Sequence, residues 1–360
     1  MNPSANCDLS IVIPTYNEKE NIEALLDKIR NVLEKSGCND YEVIVVDDNS
    51  PDGTADIVRK LGEKDDRIRL IVRINERGLA TAVKEGIKQS KKKFVVVMDA
   101  DFQHPPELIP DLYESIQEGY DVVVASRYVR GGGVEGWSRL RLVASKTGCL
   151  IARMLVRGAR KVRDNMSGFF IIRRDSIDLD RLKPKGYKIL LEILGRHEGL
   201  KVREIPYTFK NRKAGKSKIS TNTLVDFLIH VFNISEPLKF ASVGLSGVIV
   251  NLGTMWLSLS LGLSKEISSL LGIELSILSN FTLHEKFTFK GRRDKKYGLP
   301  LRLLFYHASS SVSAVTTFTT MLVTSEYMGI HPLLGQFIGI LLGFTANYLL
   351  SSRVIWLEQH

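Results

Sequence analysis

The sequence predicts an α/β domain with a mostly parallel sheet in residues 1–232, followed by four transmembrane helices in residues 233–360. Three observations support this division. Up to about residue 230, short runs of β-branched residues alternate with helical patterns, which is typical of a parallel sheet with crossover helices. Residues 240–263 then form a stretch of 24 residues without a charge, enough to cross a hydrocarbon core of roughly 30 Å. Basic residues cluster on one side of the later apolar stretches, as in membrane proteins.

Five apolar runs in the first domain are predicted to be strands that are buried on both faces. They are LSIVIP, YEVIVVDD, IRLIV, KFVVVMDAD and DVVVASR, at residues 9–14, 41–48, 68–72, 93–101 and 121–127. Between the first two, apolar residues recur with helical period from Ile22 to Leu33, and Gly37 is a stop signal. Ligands of such sheets bind at the carboxyl ends of the strands, so the polar segments there are candidate sites.

Four helices are predicted in the second domain, near residues 240–263, 266–285, 303–323 and 332–352. Their many Ser, Thr and Gly residues fit a buried soluble bundle, but they also fit the interfaces between membrane helices. The charges of the loops favour membrane helices over a soluble bundle. Residues 286–302 contain seven Lys and Arg, whereas the only Lys or Arg in the turns on the opposite side is Lys265. This asymmetry predicts an integral protein of the cell membrane whose first domain and both termini are cytoplasmic.

The second domain also contains an internal repeat. NFTLHEKFTF at 280–289 and NYLLSSRVIW at 347–356 share an Asn, an aromatic residue, a Leu, a basic residue and a final aromatic residue at equal spacing. Upstream, FASVGLSGVIV at 240–250 resembles FYHASSSVSAV at 305–315, at a similar offset. We therefore expect the four helices to form two repeated hairpins.

The composition excludes several classes of protein. Cys7, Cys38 and Cys149 lie far apart without metal-site spacing, so neither a disulfide framework nor a zinc site is expected, and a reduced, cytosolic environment is inferred. The first residues lack a basic stretch before an apolar core, so no cleavable signal peptide is predicted. The net charge of +10 includes eight basic and no acidic residues from Trp137 to Arg163. Because these basic residues neighbour apolar stretches and no nucleic-acid motif occurs, the expected partner is a lipid surface and not nucleic acid.

The segment VVVMDADFQHPPE, at 95–107, places two carboxylates where a buried strand ends. Asp99 and Asp101 can bind one divalent cation, and Gln103 can add a neutral oxygen. Such oxygen ligands suit Mg²⁺ or Mn²⁺, which keep coordination positions for substrate phosphates. The alternative is a solvated strand end whose carboxylates cap a helix. The position of the motif, level with the polar segments that follow other strands, favours a metal site.

Two more polar segments follow the first and second strands. In PTYNE, Tyr16 can stack on a base, near the amino end of a helix that favours phosphate. Alternatively, Tyr16 and Glu18 are residues of a turn and a first helical turn. In VVDDNSPDGT, Val46 can line a base pocket, and Asp48 can accept hydrogen bonds from a base or a ribose. The alternative here is an acidic turn with capping residues.

Six segments together resemble the dolichyl-phosphate mannose synthases, which are inverting family 2 glycosyltransferases with a GT-A fold. They are IPTYNE, VVDDNSPDGT, RGLATAVKEGI, MDADFQHPPE, ASRYVRGGGVEGW and MSGFFIIRRD, in this order within about residues 8–220. SRY followed by GGVEGW is the most specific of these signals. The second domain is similar to the GtrA-like four-helix membrane domain, with weaker motifs. The chain lacks the QxxRW motif of processive polysaccharide synthases.

The resemblance implies that mannose is transferred from GDP-mannose to dolichyl or polyprenyl phosphate, with Mg²⁺ or Mn²⁺ as cofactor and GDP as the second product. The positions matching the family's nucleotide-sugar contacts are Pro14, Tyr16, Glu18, Val46, Asp48, Asp99, Ala100, Asp101, Arg127, Arg212 and Lys218. Asp99, Asp101 and Gln103 match its metal ligands, and catalysis is expected to depend on Asp99, Asp101 and Arg127. Extra lysines near Lys218 leave open which lysine contacts phosphate.

The chemistry of this reaction agrees with the residues at hand. A nucleoside diphosphate leaving group needs a metal ion and Arg or Lys to stabilise its charge. The nucleophile is a phosphate monoester, which is largely ionised at neutral pH because its second pKa is about 6, so it needs no general base. A glycoside hydrolase would instead need an acid and a second carboxylate beside the sugar.

An acceptor site is predicted in the acid-free stretch 138–158. Its apolar residues form one rough helical face with basic residues around it, which is typical of an interfacial helix; the alternative is a packed helix with a wet basic face. Arg141 and Ser145 lie one turn apart and are expected, with Arg127, to contact the lipid phosphate. STNTLVDFLIHVF, at 220–232, is a second candidate interfacial helix.

Two other functions are compatible with parts of this pattern. One is a polyprenyl-phosphate glucosyltransferase that uses UDP-glucose, against which DDNSPDGT and the SRY…GGVEGW pair favour mannose. The other is a lipid-carrier translocator with a degenerate transferase domain, against which DADFQ, Arg127 and Arg212 argue. The sequence does not determine the oligomeric state.

Overall fold

The computed structural model describes residues 7–184, 188–210, 223–290, 296–350 and 355. The chain divides into two compact units, Met1–Ile234 and Ser235–His360, so the division lies two residues beyond the predicted boundary at 232.

In the described part of the first unit, seven strands form one sheet in the order β3-β2-β1-β4-β7-β5-β8, and two short strands pair separately. The strands are β1 (Leu9–Thr15), β2 (Tyr41–Asp47), β3 (Ile68–Val72), β4 (Phe94–Val97), β5 (Val122–Ser126), β6 (Gly133–Val134), β7 (Phe170–Arg173), β8 (Val202–Pro206) and β9 (Thr208–Phe209). The helices are α1 (Ile22–Lys35), α2 (Thr54–Gly62), α3 (Leu79–Gln89), α4 (Ile109–Gln117), α5 (Arg139–Leu155), α6 (Ile189–Arg196) and α7 (Thr223–Ile234).

The sheet is mostly parallel, as the sequence predicts. β1 runs parallel to β2 and β4, β2 runs parallel to β3, and β5 runs parallel to β8, whereas β7 is antiparallel to its neighbours β4 and β5. Strands β1, β2, β4 and β5 are buried along their whole length. Their apolar side chains make the core, because crossover helices cover both faces of a parallel sheet.

Two of the strand predictions need correction. The prediction that all five strands are buried on both faces is wrong for β3, which is only partly buried, because β3 lies at the edge of the sheet and has one neighbouring strand. The fourth predicted strand extended to residue 101, but β4 ends at Val97. Beyond it the backbone turns, and Phe102 has a left-handed conformation with φ of 61°.

The expectation that the cysteines are unpaired is wrong. Cys7 and Cys38 form a disulfide with their Cα atoms 5.1 Å apart. Cys7 immediately precedes β1 and Cys38 follows α1, so the crossover returns the chain to the beginning of the adjacent parallel strand and brings the two thiols together. Among the three cysteines, all of which the structure describes, Cys149 is the unpaired one, and burial raises the pKa of its thiol to about 12.

The second unit contains four long helices within its described residues: α8 (Glu236–Ser260), α9 (Lys265–Leu283), α10 (Leu299–Tyr327) and α11 (Pro332–Leu350). A short π-helix, His284–Thr288, continues α9. Helix α8 packs against α9, and α10 packs against α11, as expected for two hairpins.

Equivalent glycines support the repeat in these two hairpins. A Cβ atom at Gly272 of α9 would lie 2.6 Å from the Asn251 carbonyl oxygen of α8. Likewise, a Cβ atom at Gly339 of α11 would lie 2.9 Å from the Thr317 carbonyl oxygen of α10. The two glycines are 67 residues apart, which is the offset of the sequence repeat. The two helices of each hairpin therefore approach each other closely at equivalent positions.

Length and composition single out α8 as a membrane span. With a mean hydropathy of 1.5 in its best window, it is the one helix among the described residues that is long and apolar enough to cross a membrane by itself. Helices α9 and α10 are long enough but not apolar enough by this hydropathy criterion, because Ser, Thr and charged residues interrupt their apolar sequence.

Candidate active site

The loops that follow β1 and β2 lie against each other at the carboxyl edge of the sheet. The Asn17 amide donates a hydrogen bond to Ser50 Oγ at 2.9 Å, and the Glu18 amide donates to Thr54 Oγ1 at 3.0 Å. The Asp48 amide donates to the Thr15 carbonyl oxygen at 3.0 Å. PTYNE and DDNSPDGT therefore form one continuous surface, as the strand register predicts.

Part of the acidic segment after β2 is structural. Asp47 is buried and accepts hydrogen bonds from the Thr15 hydroxyl and from the Ser50 amide, both at 2.8 Å. Asp52, which precedes the Gly53 N-cap, accepts from the Thr54 amide at 2.9 Å and so holds the turn that leads into α2. The alternative interpretation thus holds for these two aspartates, which stabilise an acidic turn.

Asp48 has a partner that the sequence analysis missed. Arg73, directly after β3, donates from Nε to Asp48 Oδ1 at 2.7 Å, and the Gly78 amide donates to Asp48 Oδ2 at 2.7 Å. Arg73 also donates to Thr81 Oγ1 at 2.8 Å and to the Gly78 carbonyl oxygen at 3.0 Å. Gly78 has φ of 137°, which L side chains rarely adopt, so this loop needs glycine there.

The residues predicted to surround a base differ in accessibility. Tyr16 is half-buried, and the Arg77 guanidinium carbon lies 5.3 Å from the centre of its ring, so Arg77 is a further loop residue beside Tyr16. Glu18 accepts a hydrogen bond from Asn21 at 2.9 Å. Pro14 and Val46 are buried, and Val46 packs under α3, where a Cβ atom at Gly86 would lie 3.2 Å from it. Val46 therefore supports this region from below.

The DADFQ segment leaves β4 at the same edge. The Asp99 side chain is 33% exposed, whereas Ala100 and Asp101 are buried. Asp101 Oδ1 accepts from the Gln103 amide at 3.1 Å, and Gln103 Nε2 donates to the Lys210 carbonyl oxygen at 3.1 Å. The two carboxylates and the amide thus belong to one short loop, residues 99–103. Among the described residues, no group of three or more His, Cys, Asp or Glu side chains could hold a metal ion, in this segment or elsewhere.

His104 anchors this loop from behind. Its Nδ1 accepts the Asp99 backbone N–H at 2.9 Å, and its ring stacks on Phe169 with 5.2 Å between ring centres. Burial lowers the pKa of His104 to about 4, so the ring is neutral at physiological pH. Nδ1 is an acceptor, which places the proton on Nε2.

Arg127 is held by a buried carboxylate that the sequence analysis did not single out. Its Nε and Nη2 donate to the two oxygens of Asp164 at 2.7 and 2.6 Å. The guanidinium carbon also lies 5.4 Å from the centre of the Trp137 ring and 5.5 Å from that of Phe209. Arg127 is therefore fixed by a bidentate ion pair within an aromatic wall. The paired Asp164 raises its pKa despite burial, so it stays charged.

Lys188 is a second cation at this site that sequence reasoning missed. Burial, and then the nearby Arg127, lower its pKa to about 8, while Asp164 and Asp99 counter this shift. No signal at the sequence level distinguishes Lys188 from the neighbouring lysines in KPKGYK, because its position depends on how the chain enters α6.

Helix α5 has the amphipathic character that the sequence predicts. Leu140, Val143, Leu150 and Met154 are 52–81% exposed. At its amino end, the Arg141 guanidinium carbon lies 4.1 Å from the centre of the Trp137 ring. Ser145 Oγ accepts a hydrogen bond from the Tyr128 hydroxyl at 2.8 Å, so Tyr128 links α5 to the segment carrying Arg127. Arg212 and Lys218 lie outside the described residues.

Two family matches divide the chain as the fold does. Residues 10–179 match Glycosyl transferase family 2, and residues 239–356 match the GtrA/DPMS transmembrane domain. Fold, sheet-edge site and matches together define a family 2 glycosyltransferase with a GT-A domain and a membrane domain.

Three relatives make the assignment more specific. The chain is 41% identical to a dolichol-phosphate mannosyltransferase from Pyrococcus furiosus, over 97% of this chain and 99% of the relative. It is 36% identical to the dolichol-phosphate mannosyltransferase of Saccharomyces cerevisiae and 34% identical to the polyprenol monophosphomannose synthase of Mycolicibacterium smegmatis, in each case over 61% of this chain and 84% of the relative. The chain belongs to the dolichol-phosphate mannosyltransferase family.

Among solved structures, the chain is similar to glucosyl-3-phosphoglycerate synthase from Mycobacterium tuberculosis, in complex with Mn²⁺, UDP-glucose and phosphoglyceric acid. It matches with a TM-score of 0.47 and 20% identity, over 62% of this chain and 79% of that one.

Proposed function

We propose that this mannosyltransferase takes mannose from GDP-mannose and transfers it, with inversion, to dolichyl or polyprenyl phosphate. The observation that carries the proposal is that β1 runs parallel to both β2 and β4, so the segments that carry Tyr16, Asp48, Asp99 and Asp101 all leave the sheet at the same edge. The names of the three relatives support a mannosyl product on a polyprenyl carrier.

The nucleotide would bind across the loops after β1 and β2. Asp48 has both carboxylate oxygens oriented by Arg73 and Gly78, and such a fixed acceptor suits the N–H groups of guanine or a ribose hydroxyl. Tyr16 offers a ring for stacking. Glu18 would lie at the open side of this proposed nucleotide-sugar site, and the buried Pro14, Val46 and Ala100 would support it from below. The resemblance also assigns Arg212 and Lys218 to the site.

The metal ion would be held by Asp99, Asp101 and Gln103. The fit is chemical, because all three donors are oxygens, and such a set suits Mg²⁺ or Mn²⁺. The Gln103 side-chain nitrogen donates to the Lys210 carbonyl oxygen, so its amide oxygen is the atom that would face the cation. A bound cation would neutralise charge on the diphosphate leaving group.

Fixed cations and the ionised acceptor account for the rest of the proposed chemistry. Lys188 interacts with Arg127 and Asp99, Arg127 is held by Asp164, and both cations would stabilise phosphate charge without having to reorganise. The acceptor phosphate brings its own negative charge to the sugar carbon, so no general base is required. His104 does not serve as one, since its Nδ1 is occupied by the Asp99 amide.

The acceptor lipid would approach along α5. The exposed apolar residues of this helix and its basic flank suit the boundary between headgroups and acyl chains. Helix α7 has a similar character, with Val225, Leu228 and Ile229 about half exposed. Arg141 and Ser145 would contact the lipid phosphate, with Arg127 on the inner side.

The membrane unit would anchor the enzyme with the catalytic unit and both termini in the cytoplasm of a cell-membrane protein. The seven basic residues of 286–302 support this orientation, because such residues accumulate in cytoplasmic loops. Anchoring raises the local concentration of a lipid acceptor.

The decisive experiment incubates the full-length protein with GDP-mannose or UDP-glucose, Mg²⁺ or Mn²⁺, and a short polyprenyl phosphate, and identifies the lipid product. We expect polyprenyl-phosphate mannose from GDP-mannose only. A glucosyl product from UDP-glucose at a comparable rate would favour the glucosyltransferase alternative. The anomeric configuration of the product, measured by NMR, tests inversion.

A further inference from the structure

The membrane unit contains a polar cavity of about 80 Å³ between helices α8, α9 and α10. Ile340 of α11 also contributes to its wall. Much of the wall consists of neutral polar side chains, namely Asn251, Ser276, Asn280, Ser310, Ser313 and Thr317. Within the described residues that line it, no Asp, Glu, Lys or Arg occurs. A polar cavity inside a helical bundle of this kind calls for an explanation, because polar groups are costly away from water.

Two of these side chains have a polar atom without a hydrogen-bond partner among the described residues. In the described part of the chain, Ser310 Oγ and Asn280 Oδ1 are buried and have no hydrogen-bond partner. Ser310 is 3% exposed, so bulk solvent does not reach its hydroxyl. Asn280 fits only because Gly247 faces it, since a Cβ atom at residue 247 would overlap the Asn280 amide. The packing therefore makes room for a polar group and leaves it unpaired.

Some other buried polar side chains in the same bundle pair directly, although the buried Ser268 hydroxyl of α9 also lacks a partner in the described part of the chain. Gln336 Nε2 donates to Asn251 Oδ1 at 2.8 Å, and Ser269 Oγ donates to Gln336 Oε1 at 2.9 Å. These two hydrogen bonds connect α8 and α9 of the first hairpin with α11 of the second. Ser310 and Asn280 differ from this paired set because each has a polar atom without a partner, and both are lining residues of the cavity.

We infer that the cavity is a binding site for a small cluster of ordered water molecules. A buried water needs roughly 10–15 Å³ and two to four polar partners, and this cavity offers both several times over. Ligand pockets for organic molecules are usually roughly 300–1,000 Å³, so a sugar or a lipid headgroup does not fit. The absence of charged residues from its described lining disfavours an ion. Water would accept from Ser310 and donate to Asn280, and so bridge α10 of one hairpin to α9 of the other.

The experiment is X-ray hydroxyl-radical footprinting of the full-length protein in lipid nanodiscs made up in H₂¹⁸O. Radicals formed from a buried water label the side chains next to it. Phe240 and Phe289 are a matched pair, because both are buried and of the same type, but only Phe240 is among the residues that line the cavity. We expect ¹⁸O incorporation at Phe240 and Tyr306 to exceed that at Phe289 at least fivefold.

A substitution assigns the label to this cavity. Ser310→Val fills the space and removes the unpaired hydroxyl, so labelling of Phe240 should fall to the level of Phe289 while the melting temperature stays the same or rises. Ser311→Val is the control, because Ser311 is exposed on the outer side of α10 and donates to the His307 carbonyl oxygen at 2.8 Å. Equal labelling of Phe240 and Phe289 in the unmodified protein would show a dry cavity and overturn the inference, as would unchanged labelling in a folded Ser310→Val variant.

Discussion

The Arg73 guanidinium is bonded to the Asp48 carboxylate, with Nε donating to Oδ1 at 2.7 Å and only 7–8% of either side chain exposed. The pair joins the ends of β2 and β3 at the edge where the nucleotide is proposed to bind. A buried ion pair contributes little net stability by itself, but removing one partner leaves the other charge uncompensated. We therefore regard Arg73 as a positioning residue for Asp48.

Replacing Arg73 tests this role. We expect Arg73→Met to weaken GDP binding at least tenfold, because the loss of one partner of a buried charge pair typically costs about 2–5 kcal/mol. Arg69→Met is the matched control, since Arg69 lies on the same strand and pairs with Glu42 at 2.7 Å. Titration calorimetry with GDP and melting temperatures should be measured for both. If both variants weaken GDP binding equally, Arg73 acts through the stability of β3 alone.

The proposed metal site predicts a loss of turnover. Asp101→Asn should lower kcat by about a thousandfold or more, because a metal ion stabilises transition-state charge by several kcal/mol. Asp111→Asn, on the exposed face of α4, should leave the rate unchanged. Mannosyl transfer is followed with and without added Mg²⁺ or Mn²⁺. Near-normal rates in excess EDTA would contradict metal dependence.

The proposed acceptor site predicts that a substitution there changes KM for the acceptor lipid but not KM for the nucleotide sugar. Arg141→Ala should raise KM for polyprenyl phosphate roughly tenfold, since it removes one charge-assisted phosphate contact, while KM for GDP-mannose changes little. Arg139→Ala removes a neighbouring exposed charge from the same helix and controls for electrostatic attraction to the bilayer. A parallel loss of donor affinity in Arg141→Ala would place this residue in the nucleotide site.

The disulfide predicts how many thiols react in the native protein, in denaturant, and in denaturant with reductant. Without reductant, the native protein should give no rapid reaction at pH 8, because Cys7 and Cys38 are bonded and a pKa of about 12 leaves ~10⁻⁴ of Cys149 as thiolate. Denaturant should expose one thiol, and denaturant with reductant should expose three. A colorimetric thiol assay measures this, and three thiols in denaturant alone would show that the bond is absent. By the loop-entropy relation, losing a link across 31 residues costs about 3–4 kcal/mol.

A chain ending at Ile234 tests whether the membrane unit takes part in the chemistry. We expect it to convert a short, detergent-soluble polyprenyl phosphate at a rate similar to that of the full chain, and to lose most activity on long acceptors in a bilayer. Circular dichroism establishes that the shortened chain folds. A folded but inactive shortened chain would show that residues after Ile234 help to build the active site.

Local patterns in the sequence sufficed to predict β1 to β5 and the polar segments at their ends, but they did not predict β6 to β9, including the antiparallel β7 inside the main sheet. A buried parallel strand is apolar throughout, so β1, β2 and β4 stand out, and the loops after them must meet at one edge. The partial burial of β3 was not predictable in this way, because it depends on strand order and not on the composition of IRLIV.

The partners of the site residues could not be found from local patterns. Asp164 reaches Arg127 across 37 residues, and Arg73 reaches Asp48 across 25. Such pairs depend on which strands become neighbours, and one sequence does not encode this as a short-range signal. The prediction of unpaired cysteines was wrong for the same reason. The composition suggested isolated thiols, but the crossover through α1 brings Cys7 and Cys38 together.

This closed crossover also changes how the protein responds to mechanical force. When an oxidised chain is pulled from its two ends, tension passes through the Cys7–Cys38 bond, and the 31-residue interval between them bears none of it. A fully extended segment of that length spans roughly 100–110 Å, so force spectroscopy should find the oxidised chain shorter by about this amount than the reduced chain. Strand β1 and helix α1 both lie inside this covalent ring, so neither would bear tension while the rest of the chain extends.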